Sequence, residues 1–247
     1  MIAEGTQYPV GMTRRRWIAD EWNDTTATLT GDQAVHLARV LRAQAGQVFD
    51  VVAGGFLRRA EITSVGEREV VFSLGEELEM DASLPVHLLM AVFKFDHLEW
   101  GLEKATELGA ARITPVLARR TEKHLAQAAA KRVERWRKIV REAAQQSRRS
   151  DVPVVDDPLV LKLVVPTVEA TTKLLLAETE QENSLSSVLA SQPVSELAMA
   201  IGPEGGWAPD EMKLFDESGW RAVTLGPRIL RAETAAIAAL AVCGALL

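Results

Sequence analysis

Ile201-Gly-Pro-Glu-Gly-Gly-Trp207 and Leu225-Gly-Pro-Arg-Ile-Leu-Arg-Ala-Glu-Thr234 decide how this chain is read. Each follows an apolar, strand-like run, residues 197–201 or 222–225, and each leads through a Gly/Pro turn into a helical pattern. After the first loop, Pro209-Asp-Glu211 puts a proline and two acids where a first helical turn wants them. After the second, residues 234–247 form an almost wholly apolar helix. Strand, turn and helix repeated in this way imply an open α/β sheet, and such sheets bind ligands beyond the carboxyl ends of their strands. Gly202, Gly205 and Gly206 can take positive φ and admit a ligand close to the backbone. A plain tight turn is the competing reading. Neither loop has G-x-G-x-x-G spacing and no G-x-x-x-x-G-K-[ST] occurs, so an ordinary Rossmann or P-loop nucleotide site is excluded.

Working outward, residues 85–247 alternate strand and helix. Strands are expected at 86–92, 112–117, 173–177, 197–201 and 222–225. Helices are expected at 98–108, closed by Gly109, and from about 123 to 147. The stretch 153–168 gives no clear pattern. This alternation implies a mostly parallel sheet. Residues 1–75 are instead β-rich, with strands at 47–52, 57–62 and 69–74 separated by glycine turns. One helix is expected at 32–41, with Asp32 as its N-cap. The acidic stretch 76–84 reads as a linker, dividing a domain at 1–76 from one at 85–247.

The net charge of −6 over 247 residues would suit a protein that avoids nucleic acid. It is unevenly spread. Residues 1–75 hold 8 basic and 9 acidic side chains (net −1), 76–118 hold 3 and 8 (−5), 119–149 hold 11 and 3 (+8), and 150–247 hold 6 and 14 (−8). A block of net +8 can neutralise phosphates; a solvated charged helix accounts for it equally well. Arg14, Arg15 and Arg16 precede Trp17, and His36, Arg39 and Arg42 project from the expected first helix. Cations beside an aromatic suit a nucleic-acid backbone and its bases, although a solvated arm next to a core tryptophan is the plainer reading.

Other chemistries find no support. The four histidines (His36, His87, His97, His124) lack metal-ligand spacing, and Cys243 has no partner cysteine, so no metal is expected. No G-x-S-x-G elbow occurs. No signal peptide or membrane-spanning run is evident, which leads to the expectation of a cytoplasmic protein with no membrane partner.

The two Gly-Pro loops, with Glu211 and Glu233-Thr-Ala235, resemble the ribosomal RNA small subunit methyltransferase E family, of the SPOUT class of knotted methyltransferases. The resemblance extends to Lys104-Ala-Thr-Glu-Leu-Gly109, Trp136-Arg-Lys-Ile139, Glu142-Ala-Ala-Gln-Gln-Ser-Arg148 and His36-Leu-Ala-Arg-Val-Leu-Arg42, six motifs in order over nearly the whole chain. It implies an α/β fold: a C-terminal SPOUT-type knotted, mostly parallel sheet with an N-terminal PUA-like β-barrel that helps to hold RNA. It implies three loops, at 175–178, 201–207 and 225–231, that hold S-adenosyl-L-methionine. The residues are Leu176 and Glu178; Ile201, Gly202, Pro203, Gly205 and Gly206; and Leu225, Gly226, Ile229 and Leu230.

By the same resemblance the target is N3 of a uridine in 16S ribosomal RNA, in the assembled small subunit. The N3 proton must leave, so a cation could stabilise the uridine anion or a carboxylate could accept the proton. Arg231 is the candidate cation, with a salt bridge to Glu233 or Glu204 as its competing role. Glu204 is a candidate base, and bracing of its own loop is the favoured alternative. Lys94, Arg119, Arg120, Lys123 and Arg148 are expected to hold phosphates, along with Arg14, Arg15, Arg16, His36, Arg39 and Arg42. A homodimer through the apolar last helix is expected. Two rival readings remain: a knotted ribose 2′-O-methyltransferase, and a non-catalytic RNA-binding assembly factor. The chain departs from the family with arginine in Gln-Ser-Arg-Arg149, where many relatives place glycine, and with Ala177, at a position often polar.

Overall fold

The computed structural model describes residues 16–80 and 82–247; Arg14 and Arg15 lie outside the described residues. The chain forms two compact units. One holds the described residues up to Ala82 together with Ala144–Asp151. The other holds Ser83–Ala143 and Val152–Leu247. The return of Ala144–Asp151 to the first unit is a feature that a single cut in the linker does not include.

The first unit is a six-stranded sheet in the order β1-β4-β5-β6-β3-β2. Its strands are β1 (Trp17–Ile18), β2 (Glu21–Trp22), β3 (Thr26–Thr30), β4 (Val48–Ala53), β5 (Phe56–Val65) and β6 (Glu69–Glu77). Every pairing is antiparallel except β1 with β4. Period-two patterning sets the inward face: Ala27 and Leu29 of β3 are buried and their neighbours are not. They join Trp17, Leu37, Phe49, Val51, Ile62, Val70 and Phe72 in one core. The β4–β5 hairpin turns on Gly54 (φ +61) and Gly55 (φ +86), a pair of positive φ values that suits Gly-Gly.

The expected helix at 32–41 is present in altered form. Helix α1 (Gly31–Val35) begins after Thr30, so Asp32 lies inside the first turn and is not the cap. His36–Val40 then widens into a π-helical turn, with the Leu41 N–H donating to the His36 carbonyl (3.1 Å). Arg42 follows at φ +53, a left-handed conformation that glycine would adopt more readily.

The second unit is a seven-stranded sheet. Its strands are β7 (Leu84–Ala91), β8 (Ala110–Leu117), β9 (Val154–Val155), β10 (Leu159–Val160), β11 (Thr172–Leu176), β12 (Leu197–Ile201) and β13 (Arg221–Val223). The order is β10-β8-β7-β12-β11-β13, with β9 also on β8, and every pairing is parallel. The previously unassigned stretch 153–168 supplies β9, β10 and the short helix α5 (Leu161–Val164). The irregular linker is shorter than 76–84, because β6 runs to Glu77 and β7 starts at Leu84. The single long helix expected at 123–147 is two, α3 (Lys123–Ala129) and α4 (Val133–Gln146), joined by a 3₁₀ turn at Ala130–Arg132.

Both faces of this sheet are covered, as a parallel sheet requires. Alternate residues of the central strands serve opposite cores. Leu88 and Met90 of β7 with Leu197, Met199 and Ile201 of β12 pack toward α2 (Phe95–Glu107), α4, α6 (Leu185–Ala190) and α8 (Ala232–Leu246). Leu89, Ala91, Ala198 and Ala200 face the other way, toward α5 and α7 (Pro209–Glu217). The small alanines on that side leave room for three aromatics: Trp207 meets Phe215 at 4.9 Å, and Phe215 meets Trp220 at 5.2 Å, both edge to face.

A polar cluster spans β7 and β8. His87 Nε2 lies 2.7 Å from the Thr114 hydroxyl, and that hydroxyl donates to the Asp156 carboxylate, which Arg112 also grips at 2.8 and 3.0 Å. Thr114 has one proton, given to Asp156, so His87 must be the Nε2–H donor. Burial, reinforced by the Arg112 charge, pushes His87 down from 6.5 to about 4. For Asp156 burial opposes ionisation, but the hydrogen bonds from Arg112 and Thr114 outweigh it and hold the carboxyl below its ordinary value. The His87 shift means that the unfolded chain takes up this proton before the folded one does. The associated stability is present above 6.5 and is lost as pH falls toward 4, up to about 3 kcal/mol. Asp156 adds a loss in the same direction at still lower pH. The thermal midpoint should therefore drop across that window, and His87→Asn should flatten the drop. A wild-type midpoint independent of pH between 6.5 and 4 would contradict the assignment.

Candidate functional site

The strands of the parallel sheet run the same way, so the segments that leave their carboxyl ends gather at one end. There they enclose a cavity of about 1060 Å³. Leu176–Gln181 comes from the end of β11, residues 201–207 from β12, and residues 223–232 from β13. Lys94, His97 and Arg120 follow β7 and β8. The three loops expected to converge do so, and Leu176, Glu178, Ile201, Gly202, Pro203, Gly205, Gly206, Leu225, Gly226, Ile229 and Leu230 all line the cavity.

All three glycines of the first motif line the cavity, but their local surroundings differ. Only Gly206 of the first motif has positive φ (+71), where the Gly206 N–H closes a turn onto the Pro203 carbonyl at 2.8 Å. A Cβ on Gly202 would lie 3.2 Å from the Trp207 indole, and one on Gly205 would lie 3.4 Å from Cδ of Arg120. These two glycines therefore make room for side chains of the protein itself. Gly226 differs: its φ is +112 and a Cβ there would meet nothing within 4 Å, so it is the glycine that faces open space.

Trp207 fixes the relation between loops. It is buried, and its Nε1–H donates to the Leu176 carbonyl at 3.2 Å. Glu211 makes a second tie from the first turn of α7. One of its carboxylate oxygens accepts the Ala208 N–H at 2.8 Å, capping the helix, and the other accepts the Arg119 N–H at 2.7 Å. Thus the segments after β8, β11 and β12 are bound to one another. At β13, Ser184 bridges Thr224 and accepts the Ser187 N–H as the N-cap of α6.

Arg231, at the N-cap of α8, is exposed and lines the cavity. Neither of its expected partners is within ion-pair distance among the described residues, because Glu233 instead meets His97 Nδ1 at 2.8 Å. Glu204 is exposed on the cavity wall and, among the described residues, makes no hydrogen bond that would brace its loop.

The basic block is largely neutralised within the fold. Arg119 pairs with Asp210 (2.6 Å), and Arg132 and Arg135 pair with Glu99 (3.5 and 2.8 Å). Arg137 pairs with Glu134 and Asp157 (2.7 and 3.0 Å), Arg148 with Asp50 (3.7 Å) and Arg149 with Asp151 (2.6 Å). Acids distant in sequence supply most of these partners, so the regional sum of +8 overstated the local field. Lys94 and Arg120 line the cavity, with the Arg120 guanidinium donating to the Gly205 carbonyl. Lys123 is exposed at the start of α3, outside the cavity lining.

In the first unit Arg39 is exposed beside Glu67 (3.6 Å), Arg42 is exposed, and the His36 ring sits 6.1 Å from that of Trp17. Arg16 donates to the Arg148 carbonyl. Arg148 itself has φ +62, the left-handed conformation that accounts for a glycine preference there. The sequence reading missed His97 and Arg228 as cavity residues. His97 could have been found only from its pairing with Glu233, 136 positions away. Arg228 lies within the second Gly-Pro motif, where the sequence marks it no differently from a solvated loop arginine. Among the described residues no group of three His, Cys, Asp or Glu side chains could hold a metal ion, and no helix is long and apolar enough to cross a membrane.

Comparison with known proteins adds to this geometry. Residues 80–244 match the family model of an RNA methyltransferase domain, and residues 29–74 match an RNA methyltransferase PUA domain. The ribosomal RNA small subunit methyltransferase E of Synechocystis is 38% identical over 230 residues, covering 91% of this chain and 74% of that protein. Its Bacillus subtilis counterpart is 34% identical over 225 residues, covering 87% of this chain and 88% of the relative. Among solved structures, the Neisseria gonorrhoeae enzyme of the same name, bound to S-adenosyl methionine, superposes with a TM-score of 0.83 at 30% identity. It spans 94% of this chain and 97% of its own.

The tie made by Trp207 can be measured. Trp207→Phe keeps the aromatic stack but leaves the Leu176 carbonyl without its donor, which should cost about 1 kcal/mol in denaturant unfolding. A loss near zero would mean that water replaces the bond at no cost and that Trp207 does not hold the loops.

Proposed function

The chain belongs to the ribosomal RNA small subunit methyltransferase E family, and from that premise we propose that it methylates N3 of a uridine in 16S ribosomal RNA. The methyl donor is S-adenosyl-L-methionine, which supplies an electrophilic methyl group on a sulfonium. The cavity carries this reading. Its volume is ample for a ligand of that size. Leu176, Ile201, Leu225 and Leu230 offer apolar wall, exposed loop backbone offers polar groups for an adenine or ribose, and Gly226 gives open backbone for close approach. Glu178 and Glu204 put carboxylates on the rim, which suits a ligand carrying positive charge. The residues present fit the donor.

Lys94, Arg120, Arg228 and Arg231 place four cations around the same cavity, suited to the phosphates that flank a target nucleotide. Arg231 also has the position to stabilise a uridine anion. The first domain, residues 1–76 in this reading, would add backbone contacts through Arg14, Arg15, Arg16, His36, Arg39 and Arg42, and Arg148, in the Ala144–Asp151 segment of the same compact unit, would add another. The assembled small subunit in the cytoplasm is the proposed setting, and a knotted crossing of the three loops is the proposed topology of the domain at 85–247. A homodimer through the outer face of α8 is supported by the exposed Leu246 and Leu247 that continue its apolar surface.

The test is to incubate purified protein with labelled donor and small subunits lacking this modification, and then to identify the nucleoside. N3-methyluridine is the expected product; a ribose-methylated nucleoside, or no transfer, would contradict the reading. Gly226→Ala should weaken donor binding at least tenfold by calorimetry, and because alanine is strained at φ +112 the thermal midpoint of the donor-free protein should fall as well. Unchanged donor affinity would remove Gly226 from the site.

A further inference from the structure

His97 and Glu233 form a pair that neither the motifs nor the relatives' names explain. His97 sits in the first turn of α2 and lines the cavity. Glu233 sits in the first turn of α8 with a side chain only 4% exposed. One Glu233 oxygen is 2.8 Å from His97 Nδ1, and the other is buried without a hydrogen-bond partner among the described residues. A buried carboxylate served by a single donor is costly, and the helix N-terminus beneath it offsets only part of that cost. Ionised, Glu233 can only accept, so the proton between them belongs to His97 Nδ1. The other ring nitrogen, Nε2, is then a lone-pair base. The nearest carboxylate to it, on exposed Asp96, is 3.8 Å away, beyond hydrogen-bonding distance. The remaining charged groups on the same cavity wall are the cations Lys94, Arg120, Arg228 and Arg231 and the carboxylates Glu178, Glu180 and Glu204.

We propose that His97 is the general base of the methyl transfer, accepting the N3 proton of the target uridine on Nε2, and that Glu233 is its positioning residue. This rests on the assignment of uridine N3 as the acceptor. In the step, the N3–H bond breaks with its proton passing to Nε2, the N3 electron pair forms the new bond to the methyl carbon, and the carbon–sulfur bond breaks with its pair remaining on sulfur. The sulfonium becomes a neutral thioether. The imidazolium so formed lies against the buried Glu233 carboxylate and afterwards returns its proton to solvent, which reaches the partly exposed ring. No further reactant is needed. The arrangement is that of a histidine oriented by a buried acid, as in hydrolytic triads, with the hydroxyl nucleophile replaced by a ring nitrogen.

His97→Asn tests this without unpairing Glu233, because an amide N–H can take the place of Nδ1–H. General-base assistance is typically worth 10²–10⁴-fold, so single-turnover transfer should fall by about 100-fold or more. Donor and RNA affinity should stay within about twofold. The wild-type rate should show an acidic limb that the variant lacks. Nitrogen NMR should report Nδ1–H in wild type and a mixture of tautomers in Glu233→Gln, whose transfer rate should be intermediate. A His97→Asn rate within about threefold of wild type, or an unchanged acidic limb, overturns the assignment while leaving the uridine reading intact. Equal loss of donor binding and transfer also overturns it, showing a structural role. A wild-type product other than N3-methyluridine would instead bring down the target reading, and this assignment with it.

Discussion

The Trp207 indole lies against the α-carbon of Gly202 and donates to the carbonyl of Leu176, and the cavity depends on that contact. The indole can sit there because β12 presents Ala198 and Ala200 on the side where Trp207, Phe215 and Trp220 pack. A larger residue at either alanine would displace the stack, and with it the turn that Gly202 begins. Glu211 extends the same tie to the segment after β8 through the Arg119 N–H. Three strand ends are thus joined by one hydrogen bond from an indole and two to a carboxylate. The rigidity of the site resides in the packing beneath the loops and in bonds within them, such as that from the Gly206 N–H to the Pro203 carbonyl.

The charge pattern follows a related economy. The arginines of α4 and its flanks are held by Glu99, Glu134, Asp157, Asp50 and Asp151, most of which come from distant segments. Exposed pairs of this kind contribute little to stability individually. They do remove most of the block's long-range field. What remains near the cavity is a small set of cations around mixed walls, a better match to a single nucleotide than to an undifferentiated stretch of backbone.

Much of this was legible in the chain. The two Gly-Pro loops announced strand ends and turns, and the alternation of strand and helix announced a parallel sheet, because both are local patterns. What was not legible depended on contacts between distant residues. Gly202 and Gly205 line the cavity as expected, but the chain does not reveal that they also leave room for Trp207 and Arg120. The role competing with that of a cation at Arg231, a salt bridge to Glu233 or Glu204, is not formed among the described residues, and the Glu233 carboxylate turns to His97 on another helix. The helix expected at 32–41 has the right apolar residues, but its second half widens into a π turn, which no period-3.6 pattern would show. The short pieces at 154–164 gave no signal because two-residue strands have no period to read.

The most direct test of the account is a crystal structure of this chain with S-adenosyl-L-methionine. The account predicts the donor inside the cavity at the carboxyl ends of β11, β12 and β13, in contact with all three loops, with Gly226 against the ligand and Trp207 still bonded to Leu176. Donor bound elsewhere on the chain, or three loops that separate when it binds, would contradict it.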